Sequence, residues 1–187
     1  MTKTPYLFQS KKLGFRNWKK ADLEEFANLN ADPEVMEHFP KLLTKNEVKE
    51  LIEQLRDHFS LKGYTYFVTE LLETKEFIGM IGLAFQEYKS DFTPAVDIGW
   101  RLKRNAWGKG YATEGAKRCL RYAFRELGLQ KIVSVCTVKN VQSENVMKKI
   151  GMTKKGVFNH PECIHLPKYR KHFWYEINNE SFKDHWI

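Results

Sequence analysis

The chain has no apolar run long enough to cross a membrane. Its longest, Phe77 to Phe85, is nine residues and includes Gly79 and Gly82, whereas a spanning helix needs about 20. The opening segment MTKTPYLFQSKKLGF holds no apolar core of the signal-peptide kind, so a cytoplasmic protein with no membrane partner is expected. Cysteine is scarce: Cys119, Cys136 and Cys163 are odd in number and form no CxxC pair. That argues against a disulfide framework and reads as reduced thiols. Repeats, low-complexity tracts and Gly/Ser linkers are missing, which leaves one domain over residues 1–187.

Acid is short in two stretches. Between Arg101 and Arg125 eight Lys/Arg face Glu114 alone, and between Lys148 and His172 seven face Glu162 alone, within a formal charge of +8. Such runs fit a solvated basic face, a nucleic acid, or a small polyanion such as a phosphorylated nucleotide. The 42% hydrophobic and 14% aromatic content over 187 residues is enough for a core and rules out a disordered or collagen-like polymer.

Local patterning places the elements. Lys12 to Trp18 reads as a strand and Ala21 to Asn30 as a helix, with Asp32-Pro33-Glu34 opening a further short helical piece. Thr44 with Glu47 forms a capping box before a helix to about Phe59, whose face is Val48, Leu51, Ile52 and Leu55 and whose stop is Gly63. The period then drops to two. Tyr64 to Leu72 and Phe77 to Phe85 read as a hairpin, and Ala95 to Leu102 as a further strand. From Ala112 to Leu127 apolar residues share one helical face, ended by Gly128. Lys131 to Val138 is a strand, Ser143 to Ile150 a short helix, and strands follow at Lys154 to Asn159 and Tyr169 to Ile177. Hairpins first and a strand–helix–strand crossover later predict an α+β fold, a mixed sheet with helices on it.

The segment Trp107-Gly108-Lys109-Gly110-Tyr111-Ala112-Thr113-Glu114 joins a strand to that helix. A glycine-rich turn at a helix N-terminus offers amides and a favourable dipole to phosphates. It is not a Walker A loop, because Lys109 precedes Gly110 and no Ser/Thr follows in place. It is a poor dinucleotide fingerprint, because Thr113 stands where the third glycine belongs and several strands precede it.

The loop resembles the pyrophosphate loop of the GNAT N-acetyltransferases, in which Gln/Arg-x-x-Gly-x-Gly/Ala opens the central helix. Gly110 and Ala112 match, and Trp107 replaces the usual Gln/Arg, as in the RimJ/RimL-like (ribosomal-protein N-acetyltransferase-like) branch. "DIGWRL" before the loop, Asn140-Val141-Gln142-Ser143 with Met147 to Met152 after it, and "ADLEEFANLNADPEVMEHF" near the start are similar to the same branch. The resemblance implies a GNAT fold: a mixed, mostly antiparallel sheet splayed between its fourth and fifth strands and flanked by helices. It implies acetyl-coenzyme A as cosubstrate, with its pyrophosphate on the amides of Gly108, Lys109, Gly110, Tyr111, Ala112 and Thr113. Pantetheine would lie along Trp100, Arg101 and Leu102, and Asn140 would contact the cofactor arm; the lesser alternative is that Asn140 simply caps the next helix.

The implied reaction is direct attack of a neutral amine on the thioester. The tyrosine that many relatives carry seven residues beyond the Asn-x-x segment is Met147 here. Ser143 is the candidate acid in its place, and it could also be a plain first-turn helix residue. Glu162 and Asp97 are the candidate bases, with His160 and His165 as further proton acceptors. His160, Cys163 and His165 form a superficial His-x-x-Cys-x-His cluster without a second pair, so no metal is expected. Holding an α-amine neutral at pH 7 costs about 1 kcal/mol, against about 4.6 for a lysine. A site without a strong base therefore suits a protein N-terminus, including that of a ribosomal protein, or a low-pKa amine on a small molecule; a small-molecule acetyltransferase acting on a polyamine, sugar amine or antibiotic fits the sequence almost equally well. Homodimers are common in the branch. The alternative from another class is a non-enzymatic nucleic-acid-binding protein using the basic stretches and aromatics; it leaves the glycine loop unexplained.

Overall fold

The computed structural model describes residues 4–184. One sheet of eight strands runs through it in the order β1-β2-β3-β4-β5-β6-β8-β7. The strands are β1 Phe8–Gln9, β2 Leu13–Arg16, β3 Tyr66–Leu71, β4 Phe77–Gln86, β5 Ala95–Leu102, β6 Lys131–Thr137, β7 Thr153–Asn159 and β8 Lys171–Asn178. The helices are α1 Leu23–Ala31, α2 Lys45–Lys62, α3 Tyr111–Arg121, α4 Val141–Lys149 and the short α5 Pro167–Arg170.

All strand pairs are antiparallel except β5 with β6, which are parallel and meet in one register pair, Asp97 with Val133. Strand β5 stays paired with β4 over its whole length, and β6 with β8 over its own. Past Asp97, one edge of β5 therefore faces a gap. Ser134 Oγ donates to Ile98 O at 2.8 Å just beyond the bridge. The expected splay is thus present. It falls between the fifth and sixth strands because the short β1 precedes the first predicted one.

The helices sit on both faces. The apolar stripe of α3, with Ala116, Cys119 and Leu120 fully buried, packs on one face together with Met147 and Ile150 from the α4 segment. Gly115 sets the approach: a Cβ there would lie 2.4 Å from Ile81 Cδ1. On the other face α1 and α2 bury Phe26, Leu29, Val48, Ile52 and Leu55 against Trp18, Val68 and Met80. The Thr44 capping box forms as the spacing predicts, and Gly63 ends α2 with φ 78°.

Two local expectations fail. Residues 33–38 form turns and no helix: after the Met36 amide bonds Asp32 O at 3.0 Å the bonds shorten to three-residue turns, Glu37 N to Glu34 O and Phe39 N to Met36 O, and no ladder propagates. Tyr169 lies in α5 and not in a strand, because Pro167 presets the helical φ at its first position, and β8 starts at Lys171.

Candidate active site

The glycine loop is built by backbone conformation. Gly108 and Gly110 have φ of 71° and 80°, and a Cβ placed at either would meet no atom within 4 Å. Glycine is required there by the left-handed backbone and not by crowding. The first hydrogen bond of α3 runs from the Glu114 amide to Gly110 O, so the amides of Tyr111, Ala112 and Thr113 precede the helical ladder and face outward. Trp107 explains its own presence: its Nε1 donates to Leu102 O at 2.8 Å, tying the loop to the end of β5. Glu114 anchors the first turn of α3 from the other side, accepting from Ser10 Oγ and the Lys12 amide, both at 2.7 Å.

Two cavities meet at the splay. A cleft of about 720 Å³ runs from Gly108, Gly110 and Thr113 past Trp100 and Leu102 to Asn140 and Ser143. A second cavity of about 440 Å³ lies beyond, lined by Tyr66, Tyr88, Asp97, Met147, His160 and Glu162 among others. His38, Phe39, Trp100, Arg101, Asn140 and Ser143 line both and form the seam between them. Lys109 is exposed and lines neither.

The predicted site residues divide accordingly. Asn140 caps α4, its Oδ1 accepting from the Ser143 amide at 3.0 Å, and also reaches the seam. Ser143 stands beside it with its hydroxyl free of protein partners among the described residues. Asp97 is buried, and the Tyr66 hydroxyl donates to its Oδ1 at 2.7 Å. Burial pushes the Asp97 carboxyl up to about 6, against the lowering effect of that hydrogen bond. Glu162 is exposed on the 3-10 turn Pro161–Cys163, between half-buried Pro161 and buried Cys163, at the cavity wall. His160 is half-buried with Nδ1 unpartnered among the described residues, and burial holds its pKa below the ordinary histidine value; His165 is exposed and lies outside the cavity. Met147, in the place of the family tyrosine, is buried.

Several lining residues carried no chemical signal in the sequence. Tyr66, Tyr88, His38 and Phe39 come from strand, loop and turn segments distant in sequence, and only the fold assembles them. His172 is buried on β8, which pushes it down to about 4. Cys136 and Cys163 also line the cavity, but burial raises both thiols, Cys136 to about 12, so neither supplies a thiolate. No group of three or more His, Cys, Asp or Glu able to hold a metal occurs among the described residues. No described helix is long and apolar enough to span a membrane. Of the C-terminal aromatics, Tyr175 and Phe182 are core residues.

A sheet that parts beside a glycine-rich helix N-terminus leaves a gap suited to an extended, phosphate-bearing ligand. The chain belongs to the acetyltransferase (GNAT) domain family, whose model matches residues 12–153. It is 30% identical over 178 residues to YnaD, an uncharacterized N-acetyltransferase of Bacillus subtilis, covering 95% of this chain and 97% of that one. It is 34% identical over 137 residues to an FsC-acetyl coenzyme A-N(2)-transacetylase of Aspergillus fumigatus, covering 70% and 57%. A solved GNAT acetyltransferase from Bacillus anthracis aligns with TM-score 0.77 at 27% identity, covering 92% and 98%. The protein is therefore an N-acetyltransferase, and the nucleic-acid reading is set aside. The residues fit the acetyl-coenzyme A that the family uses: unladdered amides at α3, an unpaired β5 edge, and Lys139 and Lys149 on the cleft wall.

Proposed function

We propose that this domain, spanning residues 1–187, acetylates a protein N-terminal α-amine in the cytoplasm, in the manner of the RimJ/RimL-like branch. The observation that carries the reading is the seam, where a donor cleft and an acceptor cavity share Trp100, Arg101, Asn140 and Ser143. Bound acetyl-coenzyme A supplies an activated acetyl thioester. The amides of Gly108 to Thr113 hold its pyrophosphate, and the free edge of β5 at Trp100, Arg101 and Leu102 aligns the pantetheine arm. Asn140 positions that arm from the other side of the gap.

The acceptor nitrogen forms its bond to the acetyl carbon as the carbon–sulfur bond breaks. Asp97 takes the proton lost by the amine, relayed along the cavity, and returns it to solvent. A carboxylate held near pKa 6 is a useful base at neutral pH and ionised at that pH. Glu162, exposed at the cavity wall, is the weaker candidate. Ser143 Oγ donates to the departing sulfur and is reprotonated by water. Asp97 is a modest base, which favours an α-amine over a lysine side chain.

A small-molecule amine is the second reading, supported by an acceptor cavity of about 440 Å³, within the size range of small-ligand pockets. The relative whose name specifies N(2)-transacetylation points the same way. Calorimetric titration with acetyl-coenzyme A at two salt concentrations tests the donor assignment, and stoichiometric binding is expected. A screen of ribosomal-protein N-terminal peptides against polyamines and sugar amines then separates the two acceptors. Absence of binding at either salt overturns the reading.

A further inference from the structure

Arg101 is a cation held at the seam without an anion among the described residues. Its guanidinium lies over the Phe39 ring at 4.0 Å, and one Nη donates to Asn30 Oδ1. Asn30 is itself fixed, fully buried and donating to Phe26 O at 2.7 Å. The Nε of Arg101 is buried and has no partner among the described residues, and no described carboxylate acts on the group; burial pushes it down to about 10. The buried Arg16 shows the usual solution: Asp22 and Glu70 both pair with it. A desolvated charge without a counter-charge is unfavourable, and a site that keeps one is prepared for a ligand that brings the opposite sign.

The cavity's own carboxylates do not meet that need. Strand alternation puts Asp97, Gly99 and Arg101 on one face of β5, with the Cα atoms of Asp97 and Arg101 about 13 Å apart, and no ion pair joins the two side chains among the described residues. The cavity floor thus has an anionic end at Asp97 and a cationic end at Arg101, with Gly99 between them. Arg101 also lines the donor cleft, so it stands where the acetylated nitrogen must sit. Donor phosphates belong to the α3 end of the cleft and leave Arg101 unmatched.

We propose that the acceptor carries a carboxylate beside the amine that is acetylated, and that Arg101 binds that carboxylate. This rests on the acetyl-transfer reading above. The carboxylate has two sources: the main chain of a free α-amino acid, or the side chain of an acidic residue at a peptide N-terminus. Phe39 stacking and the Asn30 bond keep the guanidinium plane fixed, which suits two-point recognition of a carboxylate.

The experiment compares kcat/KM for free α-amino acids against their α-amides, and for peptide amides beginning Asp or Glu against those beginning Asn or Gln, with a polyamine as the carboxylate-free reference. In one arm the anionic member is expected to be favoured about tenfold or more, chiefly through KM. R101M keeps the β5 main chain that aligns the arm, so it should collapse that ratio towards one while calorimetry still detects stoichiometric acetyl-coenzyme A binding, and R101K should retain part of the ratio. Equal rates in both arms, preference for the neutral members, turnover of the polyamine alone, or a ratio that survives R101M overturns the proposal and leaves acetyl transfer standing. Loss of acetyl-coenzyme A affinity in R101M with the ratio intact overturns it too. Failure of the wild type to bind acetyl-coenzyme A instead removes the parent reading, and this one with it. Should R101M fail to fold, the wild-type ratios and R101K decide.

Discussion

The Tyr66 hydroxyl donates to Asp97 Oδ1 at 2.7 Å, on the β5 residue where the parallel pairing with β6 ends. This carboxyl is 6% exposed and raised from 3.8 to about 6 by burial. The folded chain therefore binds its proton more tightly than the unfolded chain, and stability falls as pH rises from about 4 to about 6. Asp97→Asn keeps an acceptor for Tyr66 and removes the buried charge. It is expected to stabilise the fold at pH 7, by an amount on the order of 3 kcal/mol at most, and to give little gain at pH 4. Activity should move the other way: wild-type kcat/KM rises with pH through a limb near 6, and the variant loses both the limb and most of its rate. Thermal melts at the two pH values and a pH–rate profile check this. A limb that persists in the variant takes the base role from Asp97.

Glu162 supplies the complementary measurement. It is exposed on its turn, so Glu162→Gln should change stability by no more than about 0.5 kcal/mol. With Asp97 as base, the low-pH limb of the variant should coincide with that of the wild type. A limb displaced or abolished by this substitution transfers the proton to Glu162.

Gly110 and Gly115, five residues apart, are glycines for different reasons. Gly110→Ala meets open space and pays only for φ of 80°, which costs about 1–2 kcal/mol and relaxes the loop. Acetyl-coenzyme A affinity should fall several-fold with a small drop in Tm. Gly115→Ala improves helix propensity but sets a methyl 2.4 Å from Ile81 Cδ1 and 3.3 Å from Leu13 Cδ1, both fully buried. Overpacking of this kind costs about 1–3 kcal/mol, so Tm should fall clearly while residual folded protein still binds. Melts and calorimetry on the two variants separate the roles; equal loss of affinity at equal stability would contradict them.

The parts legible in the sequence were those written locally. The Thr44–Glu47 box, the stop at Gly63 and the glycine loop each depend on neighbours within one or two turns and stand where the pattern put them, whereas the helix expected to run to Leu127 ends as α3 at Arg121 and continues as a π-turn over Tyr122–Glu126 that still buries Ala123 and Phe124. The splay followed from resemblance, since nothing local in Val133 or Asp97 announces that their pairing is the last. The acceptor side was the least legible. Tyr66 comes from β3, His38 from a turn and Tyr88 from a loop, and periodicity reports only that a residue faces in or out; Arg101 was named for the donor side alone. The turns over 33–38 and the helix-starting Pro167 were misread because each competes with a longer pattern on its flank.

Asn140 and Ser143 form the remaining test, because one hydrogen bond links a structural and a chemical role. Asn140 Oδ1 accepts from the Ser143 amide at 3.0 Å and so caps α4. Asn140→Ala removes the cap and should cost about 1 kcal/mol. Asn140→Asp keeps an acceptor and adds a charge favoured at a helix N-terminus, so stability should be held, while the side-chain NH2 donor is lost. If Asn140 positions the cofactor arm, the Asp variant binds acetyl-coenzyme A several-fold more weakly at wild-type stability; unchanged affinity reduces it to a cap. Ser143→Ala leaves the capped backbone amide in place, so Tm and acetyl-coenzyme A affinity should both match the wild type. Its kcat should fall on the order of 100-fold, the low end for general-acid catalysis because a thiolate is already a good leaving group, if the hydroxyl protonates the leaving sulfur. The loss should be greatest below the thiol pKa, where an unassisted thiolate is the poorer product, and a kcat within twofold of wild type across pH removes Ser143 from the reaction.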